Sequence, residues 1–296
     1  MKLVTFHSAA GLRLGANVED AVLDLRAAGE RVGCALPGSM QALIDAGEES
    51  WADARRVIGI RPEEAVVTAP RLAAPLPRPV RLRDACLFLQ HLEASFAAAD
   101  IPFSEEFYRQ IIYYNADNVH VFGTGEDIPW PRASAERDYE LEWACVIGRS
   151  GSNVPRNTAA AHVFGYTVFN DWSARDLQMP FMKGNLGPAG GKDFANSLGP
   201  CIVTPDELAD PYALRMTARV NGEIWSEGST STMHHSFEDA IVRLSEDRPL
   251  VAGEVIGSGT VLNGCGLEIG RRLSPGDMVE LEVEGIGVLR NRIVLA

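Results

Sequence analysis

The chain has 296 residues, of which 46% are hydrophobic and 23% are charged, the balance of an ordinary globular protein. This composition excludes an intrinsically disordered or collagen-like chain. Its 27 Lys and Arg residues against 40 Asp and Glu residues give a formal net charge of -13. Because nucleic-acid affinity depends mainly on cationic neutralisation of phosphates, we expect no nucleic-acid partner.

The sequence also argues against a membrane or secreted protein. It has no stretch of about 18 uncharged apolar residues, so we expect no membrane span. The apolar run after Lys2 is interrupted at Thr5 and His7 before the core of a signal peptide forms. The five cysteines are widely separated, odd in number and without a C-x-x-C pair. Free thiols in a reducing compartment account for them most simply, so we expect a cytoplasmic protein.

A proline-rich segment divides the chain, with four prolines among the eleven residues Ala69–Pro79. Proline fixes φ and removes a backbone donor, so this segment is predicted to be an extended connector. We therefore expect a small N-terminal domain over residues 1–75 and a larger domain over residues 76–296. The first domain should open with a strand, followed by short helices over Val18–Ala28 and Ser39–Ala46.

The segment after the connector is predicted to be helical over Asp84–Ala99. Its apolar residues recur at spacings of three and four, at Leu87, Phe88, Leu92 and Phe96. On such a helix, Asp84 and His91 would lie on one side, roughly 10 Å apart along the axis.

From Val119 onward the pattern changes to short β-rich runs separated by Gly and Pro. These runs are Val119–Phe122, Tyr139–Ile147, Val163–Phe169, Leu214–Val220, Val255–Ile256 and Val279–Val283. The dipeptide Asn221-Gly222 is typical of a hairpin turn. Many strands with few long helices predict an α+β, mainly β fold with sandwich or barrel-like packing.

Two glutamates share one face of the predicted strand Tyr139–Ile147. Alternation places Glu140 and Glu142 on the face opposite Leu141 and Trp143, about 6.5–7 Å apart. Beyond them that face becomes apolar, which predicts a partly enclosed acidic pocket. Such a pocket is costly without a cation. The alternative is that this face is exposed to solvent. The later strand at 280–284 has the pattern of such an exposed face, because its charged residues alternate without interruption.

A second group of polar residues follows the run Val163–Phe169. We expect Asn170 and Asp171 to end that strand and to cap a short helical turn. In such a turn Asp171, Arg175 and Gln178 would lie on one face. An exposed Asp–Arg helix pair with an incidental Gln is the alternative.

Several motifs, in this order, resemble the fumarylacetoacetate hydrolase family. They are Asp84 with His91 seven residues on, Asp138–Glu142, Asn170–Gln178, Gly191–Phe194, Gly257–Thr260, Pro275–Asp277 and Glu284–Gly287. The resemblance covers roughly residues 80 to 296. It implies a small N-terminal β-rich domain followed by a larger mixed β-sandwich roll, in a protein that is usually a homodimer.

The resemblance also implies one divalent cation in each subunit. By match to the family's motifs, its ligands would be Asp84, Glu140, Glu142 and Asp171. Four carboxylates form a hard oxygen donor set, which suits Mg²⁺, Mn²⁺ or Ca²⁺. The cation would offset a mutual repulsion that otherwise raises some of their pKa values.

The activity that the resemblance implies is hydrolysis of a carbon–carbon bond in a small 1,3-diketo acid. Acylpyruvates, fumarylpyruvate and fumarylacetoacetate-like acids belong to this class, which occurs in aromatic catabolism. His91 would activate a water as general base, with Glu268 orienting the imidazole. The groups stabilising the developing enolate would be Arg175, Gln178 and Lys192. The substrate-binding residues would be Lys183, Thr260 and Tyr114, with Tyr113 as the alternative to Tyr114.

Two other functions stay open at this point. The same family includes decarboxylases of oxaloacetate-like acids and isomerases, which share the metal site and differ in how water is used. The alternative from a different class is a non-catalytic metal- or ligand-binding module, since a fold does not guarantee an activity. The presence of His91, Arg175, Gln178 and Lys192 beside the four acids favours an enzyme.

Overall fold

A computed structural model describes residues 1–98 and 102–296. The strands are β1 (Lys2–Ser8), β2 (Gly11–Val18), β3 (Ala21–Asp24), β4 (Val66–Thr68), β5 (Leu72–Ala73), β6 (Arg81–Ala85), β7 (Tyr113–Ala116), β8 (Val121–Phe122), β9 (Asp127–Trp130), β10 (Arg137–Asp138), β11 (Leu141–Ile147), β12 (Val163–Asp171), β13 (Ser173–Ala174), β14 (Asn196–Val203), β15 (Arg215–Val220), β16 (Glu223–Ser229), β17 (Glu254–Gly257), β18 (Met278–Val283) and β19 (Gly287–Leu295). The helices are α1 (Leu25–Arg31), α2 (Met40–Ile60), α3 (Leu89–Ala98), α4 (Glu106–Arg109), α5 (Arg175–Lys183) and α6 (Phe237–Leu244). Among these helices, none combines the length and the apolar character needed to cross a bilayer.

The strands form one large sheet, one smaller sheet and a short pair. The large sheet has 12 strands in the order β4-β3-β2-β1-β14-β12-β11-β17-β6-β7, with β5 added to β1 and β8 added to β14. The second sheet has five strands in the order β16-β15-β18-β19-β9, and β10 pairs with β13. This arrangement confirms the predicted α+β, mainly β fold.

The large sheet is buried on both faces along β11. Trp143 and Cys145 enter an apolar cluster that includes the second sheet and α6. Ala144 and Val146, on the opposite face, enter a second cluster shared with α1 and α2. The alternation predicted for this strand is therefore confirmed, and both of its faces lie in the protein interior.

The N-terminal strands are hydrogen-bonded into the same large sheet. Strand β1 pairs with β2 on one side and with β14 on the other, where Leu3 lies opposite Ile202. The proline-rich segment contains no helix, contributes only the short strand β5 and bends over residues 75–78. The domain boundary at residue 75 stays a prediction.

The predicted hairpin turn is confirmed. Asn221 and Gly222 connect β15 to β16 with φ values of 52° and 83°. Both central residues of a type I′ turn require a positive φ, which Asn and Gly adopt at low cost.

The first predicted N-terminal helix is largely wrong. Of Val18–Ala28, the part up to Asp24 is mostly strand, because β3 pairs with β2 and β4 in the sheet. Helix α1 begins only at Leu25, where the Asp24 carboxylate accepts a hydrogen bond from Ala27 N at 3.1 Å. Sheet pairing has overridden the local apolar pattern here.

The second predicted N-terminal helix is correct at its start but too short. Ser39 caps α2 by accepting a hydrogen bond from Ala42 N, and the helix continues to Ile60 across a kink at Gly47. The kink coincides with the glycine's positive φ of 74°, near the predicted end at Ala46.

The helix predicted over Asp84–Ala99 is wrong in its first part. Asp84 lies on β6, whose parallel pairing with β17 holds residues 81–84 extended. Helix α3 begins only at Leu89, so Asp84 and His91 do not share a helix face. The predicted end, Ala99, lies outside the described residues. The prediction differs from the structure because residues 81–84 pair with a strand about 170 residues away in sequence, which a local pattern does not show.

The packing of Trp143 provides a test of this core. Its ring is fully buried, 4.7 Å from that of Phe237 and 5.1 Å from that of Tyr166 between centroids. Because truncation leaves a cavity, we expect Trp143→Ala to lower the free energy of unfolding by about 3–5 kcal/mol. Urea denaturation measures it. The control is Leu186→Ala at an 84% exposed position, where a change below about 0.5 kcal/mol is expected; equal losses would contradict this account.

Candidate metal centre and active site

Four buried carboxylates meet on one face of the large sheet. They belong to Asp84, Glu140, Glu142 and Asp171, and one oxygen from each lies within 4.8 Å of the others. Each of these residues is at most 9% exposed. The structure thus brings together the four residues that the resemblance implied as ligands, and we call this group the acidic cluster.

Strand pairing places three of the four acids. Glu140 lies just before β11 and Glu142 lies on it, so both side chains leave the same face. Glu142 is opposite Phe169 on β12, and Asp171 follows two residues later on that same face. Asp171 is the last residue of β12, so its carboxylate lies at the strand end beside the two glutamates.

The fourth acid, Asp84, reaches the cluster because glycines flank it. On β17, Gly257 pairs with Asp84, and a Cβ at this position would lie 2.7 Å from Asp84 Oδ1. Gly259, with a φ of 73°, donates its backbone N–H to the same oxygen at 3.1 Å. The segment Gly257–Thr260 of the sequence motif therefore leaves room for this carboxylate and holds it.

Two cationic side chains offset part of the negative charge. Lys192 Nζ lies 2.6 Å from Glu140 Oε2 and 2.7 Å from Asp171 Oδ2, and Arg175 Nη1 lies 2.9 Å from Glu140 Oε1. Burial raises the pKa of Glu140, but Lys192, Arg175 and His91 outweigh burial and leave it at about 2. Glu140 is therefore the strongly ionised member of the cluster.

On the other side of the cluster, no cationic side chain among the described residues forms an ion pair with Asp84 or Glu142. Burial, with the charge of Asp171 added, raises the pKa of Asp84 to about 7. Burial and the charge of Asp84 raise the pKa of Glu142 well above its usual range. Within the described part of the chain, no hydrogen-bond partner reaches Glu142 Oε2 or Asp171 Oδ1.

A divalent cation fits this arrangement. Buried polar atoms without partners are costly, and two of the four carboxylates each present such an oxygen. The donors are all carboxylate oxygens, which hard divalent ions prefer. Asp84, Glu140, Glu142 and Asp171 are the residues that would hold it.

The hydroxyls of Tyr114 and Thr260 contact the acidic cluster directly. Tyr114 donates a hydrogen bond to Asp171 Oδ2 at 2.6 Å, and Thr260 donates to Glu142 Oε1 at 3.1 Å. Burial and the neighbouring acids raise the pKa of Tyr114, so it stays protonated and donates. Of the two candidate tyrosines, Tyr114 lies on the face of the cluster, because it is opposite Asp84 in the β6–β7 pair. Tyr113 leaves the opposite face.

His91 and Glu268 form a buried pair beside the cluster. His91 Nδ1 lies 2.8 Å from Glu268 Oε2, and the two side chains are 11% and 3% exposed. The Cys265 thiol donates to the same Glu268 oxygen at 3.5 Å. The carboxylate lies at ion-pair distance from the imidazole, although Nδ1 meets no hydrogen-bond geometry with the described residues. Its role in orienting the ring stays a prediction.

Arg175 is held by an aspartate to which the sequence analysis assigned no role. Its Nε and Nη2 donate to Asp138 Oδ2 at 2.9 and 2.7 Å, and its Nη1 donates to Gln178 Oε1 at 3.1 Å. Asp138 also accepts from the backbone of Gly266 and Leu267, at 2.7 and 3.1 Å. Its alternation with Glu140 and Glu142 is the sequence signal that points to this position.

The expected cap by Asn170 and Asp171 is wrong. Both residues belong to β12, and α5 begins at Arg175 after Ala174, which makes no side-chain cap. Asp171 and Arg175 meet at the cluster because a strand end and a helix start converge there, and they do not share a helix face. Lys183 ends α5 and is exposed, so it lies outside the buried cluster.

Comparison with known proteins gives matches over most of the chain. The family model described as fumarylacetoacetate (FAA) hydrolase C-terminal matches residues 82–294. A mitochondrial oxaloacetate tautomerase of Homo sapiens is 32% identical over 265 residues, which cover 88% of this chain and 81% of that protein. An oxaloacetate tautomerase of Bacillus subtilis (strain 168) is 31% identical over 271 residues, or 87% of each chain.

A solved structure is similar over its whole length. The fumarylacetoacetate hydrolase from psychrophilic Exiguobacterium antarcticum aligns over 100% of both chains, with a TM-score of 0.81 and 27% identity. One similar protein is named as mitochondrial and another comes from a bacterium, so the cytoplasmic location stays a prediction. The homodimer also stays a prediction.

Cation binding to the acidic cluster should appear as a gain in stability. We expect Mg²⁺ or Mn²⁺, added to EDTA-treated protein, to raise the Tm because the assembled cluster exists only in the folded chain. A concentration of 100 times the Kd adds about 2.7 kcal/mol. Glu142→Gln should remove most of the shift, whereas Glu64→Gln, at an exposed position, should keep it. Equal shifts in both variants would place the cation elsewhere.

The buried Asp138–Arg175 pair should be essential for stability. Asp138→Asn keeps the side-chain size but removes one of the two buried carboxylates that pair with the guanidinium, leaving Glu140. Removing one member of a buried pair costs about 3–5 kcal/mol in unfolding free energy, measured by urea denaturation. The control, Glu136→Gln, breaks an ion pair with a 70% exposed Arg272 and should cost less than about 1 kcal/mol. If Asp138→Asn lowers the unfolding free energy by less than about 1 kcal/mol, Asp138 does not anchor Arg175.

Proposed function

The chain belongs to the fumarylacetoacetate hydrolase family, and from this premise we propose that it is a keto–enol tautomerase of a small oxaloacetate-like 2-keto diacid, dependent on Mg²⁺ or Mn²⁺. The sequence motifs led us to expect carbon–carbon bond hydrolysis first and an isomerase or decarboxylase as the alternative. The observation that carries the change is the similarity to two oxaloacetate tautomerases, at 31–32% identity over 87–88% of this chain.

Tautomerisation needs a base that moves one proton between C3 and the oxygen on C2, with no water added to the substrate. A bound cation would supply positive charge that polarises the keto group. We assign the proton transfer at C3 to His91. Because Nδ1 faces Glu268, Nε2 is the ring nitrogen that takes the proton from one of these two atoms, C3 or the C2 oxygen, and delivers it to the other. Glu268 stabilises the imidazolium that forms in between.

The cationic and amide groups beside the acids would stabilise the enolate. Lys192 and Arg175 are buried donors already oriented by Glu140, Asp171 and Asp138. Preoriented donors of this kind need little rearrangement when negative charge develops. Gln178 accepts from Arg175 through its oxygen, which leaves its amide N–H groups to donate to substrate.

Two residues first expected to bind substrate acquire a different proposed role. The Tyr114 and Thr260 hydroxyls donate to Asp171 and Glu142, so we assign them to positioning these carboxylates. Lys183, exposed at the end of α5, remains our candidate for binding a substrate carboxylate.

Hydrolysis of a 1,3-diketo acid is the second candidate. A specific observation favours keeping it: the His91–Glu268 pair is also the arrangement that activates a water. The fumarylacetoacetate hydrolase of similar fold is consistent with this alternative.

Product analysis separates the candidate reactions. Enolic oxaloacetate and acetylpyruvate are each incubated with the protein and Mg²⁺, and again with EDTA, while enol absorbance, carbon dioxide and acid products are measured. Metal-dependent ketonisation of oxaloacetate without carbon dioxide supports the tautomerase. Release of carbon dioxide would make it a decarboxylase, and acetate with pyruvate from acetylpyruvate would make it a hydrolase.

Removal of the base should reduce catalysis without loss of the metal. We expect His91→Ala to lower the rate of enol loss by about 10²–10⁴-fold, the usual contribution of general acid–base catalysis. Glu268→Gln should lower it less, because the imidazole remains. The Mn²⁺-induced shift in Tm should persist in both. The matched control is His120→Ala, which removes an exposed imidazole that pairs with Asp117; an equal loss there, or full activity in His91→Ala, contradicts the assignment.

A further inference from the structure

A second, cationic cavity lies beside strands β6 and β7. Its volume is about 560 Å³. The polar side chains that line it are Arg81, Arg83, Tyr113, Asn115, Asn118 and Arg248. We call it the arginine cavity.

The arginine cavity is separated from the acidic cluster by the sheet itself. Arg83 and Asp84 are consecutive on β6, and Tyr113 and Tyr114 are consecutive on β7. Successive side chains of a strand leave opposite faces. Asp84 and Tyr114 serve the acidic cluster, so the Arg83 and Tyr113 side chains belong to the other face.

Positive charge exceeds negative charge in this cavity. Glu254 pairs with both Arg81 and Arg83, at 3.3 and 2.8 Å. Arg248 Nη1 donates a hydrogen bond to the Tyr113 hydroxyl at 3.4 Å. Among the described residues, one carboxylate thus pairs with two of these three guanidinium groups and none pairs with the third, in a chain whose net charge is -13.

Arg83 is buried without full compensation. It is 2% exposed, and its Nε has no hydrogen-bond partner among the residues that the structure describes. Arg81 and Arg248 line the same cavity, and Glu254 is the carboxylate that pairs with Arg83 there. A buried cation under repulsion from two others is stabilised by an anion between them.

We propose that the arginine cavity binds a phosphate dianion, either inorganic phosphate or the phosphate group of a small metabolite. Its two excess positive charges match the two negative charges of such a group. The planar guanidinium fork suits phosphate oxygens, and Tyr113, which accepts from Arg248, keeps its own proton to donate. The volume is within the range of about 300–1,000 Å³ found for small-ligand sites, so it also accommodates an organic group beyond the phosphate.

The test is direct binding to the Mg²⁺-loaded protein by calorimetry. Inorganic phosphate and glycerol 3-phosphate distinguish the two sources of the dianion, and succinate serves as a dicarboxylate comparison. We expect saturable binding of at least one phosphate ligand, one per chain, weakened at least about tenfold by Arg248→Gln because one charge-assisted contact is lost. Arg26→Gln removes a 62% exposed arginine in an i,i+4 pair and is the matched control, with no change expected.

Arg81→Gln provides a second variant, since this side chain is 44% exposed and its loss leaves Arg83 with Glu254. It should weaken the same binding. The proposal is overturned if neither phosphate ligand binds at millimolar concentration, if both variants bind as tightly as the wild type, or if succinate alone shows the arginine dependence. Binding is measured without turnover, so these outcomes are independent of the tautomerase proposal.

Discussion

Mutual repulsion among four buried carboxylates is the constraint on which the rest of this structure depends. Asp84, Glu140, Glu142 and Asp171 lie too close together, and too far from water, for all four to ionise unaided. Lys192 and Arg175 offset the charge at one end, where Glu140 is strongly ionised, and the other end retains carboxylate oxygens without partners. A divalent cation would complete this balance, and the surrounding hydroxyls and backbone N–H groups hold the carboxylates that would bind it.

The two faces of one sheet edge carry opposite charge. On β6, Asp84 serves the acidic cluster while Arg83 lines the arginine cavity, and on β7 the same division separates Tyr114 from Tyr113. Successive side chains of a strand leave opposite faces, so two neighbouring strands are enough to supply residues to both sites. Because a single pair of strands carries both sites, an anion bound on one face would lie one sheet thickness from the proposed metal ligand on the other.

Tautomerisation and hydrolysis place similar demands on this site. Both require an enolate to be stabilised, and both use a base oriented like His91, so the arrangement of acids and cations favours neither. They differ in whether a water is admitted and attacks the carbonyl. The family shares one scaffold among such reactions, and similarity to proteins named as oxaloacetate tautomerases is the reason for our preference.

The sequence by itself determined the features that depend on local pattern. The alternation over Tyr139–Ile147 determined which side chains share a face with Glu140 and Glu142, and Asn221-Gly222 determined a turn that requires positive φ. Tertiary structure alone decided that Asp84 lies on a strand, because β6 is held by a partner distant in sequence. It also decided that Asp138 anchors Arg175 and that Arg81, Arg83 and Arg248 surround one cavity. Charge balance between residues far apart in sequence depends on distances that only the folded chain sets, whereas strand alternation and turn geometry follow from the backbone of a few consecutive residues.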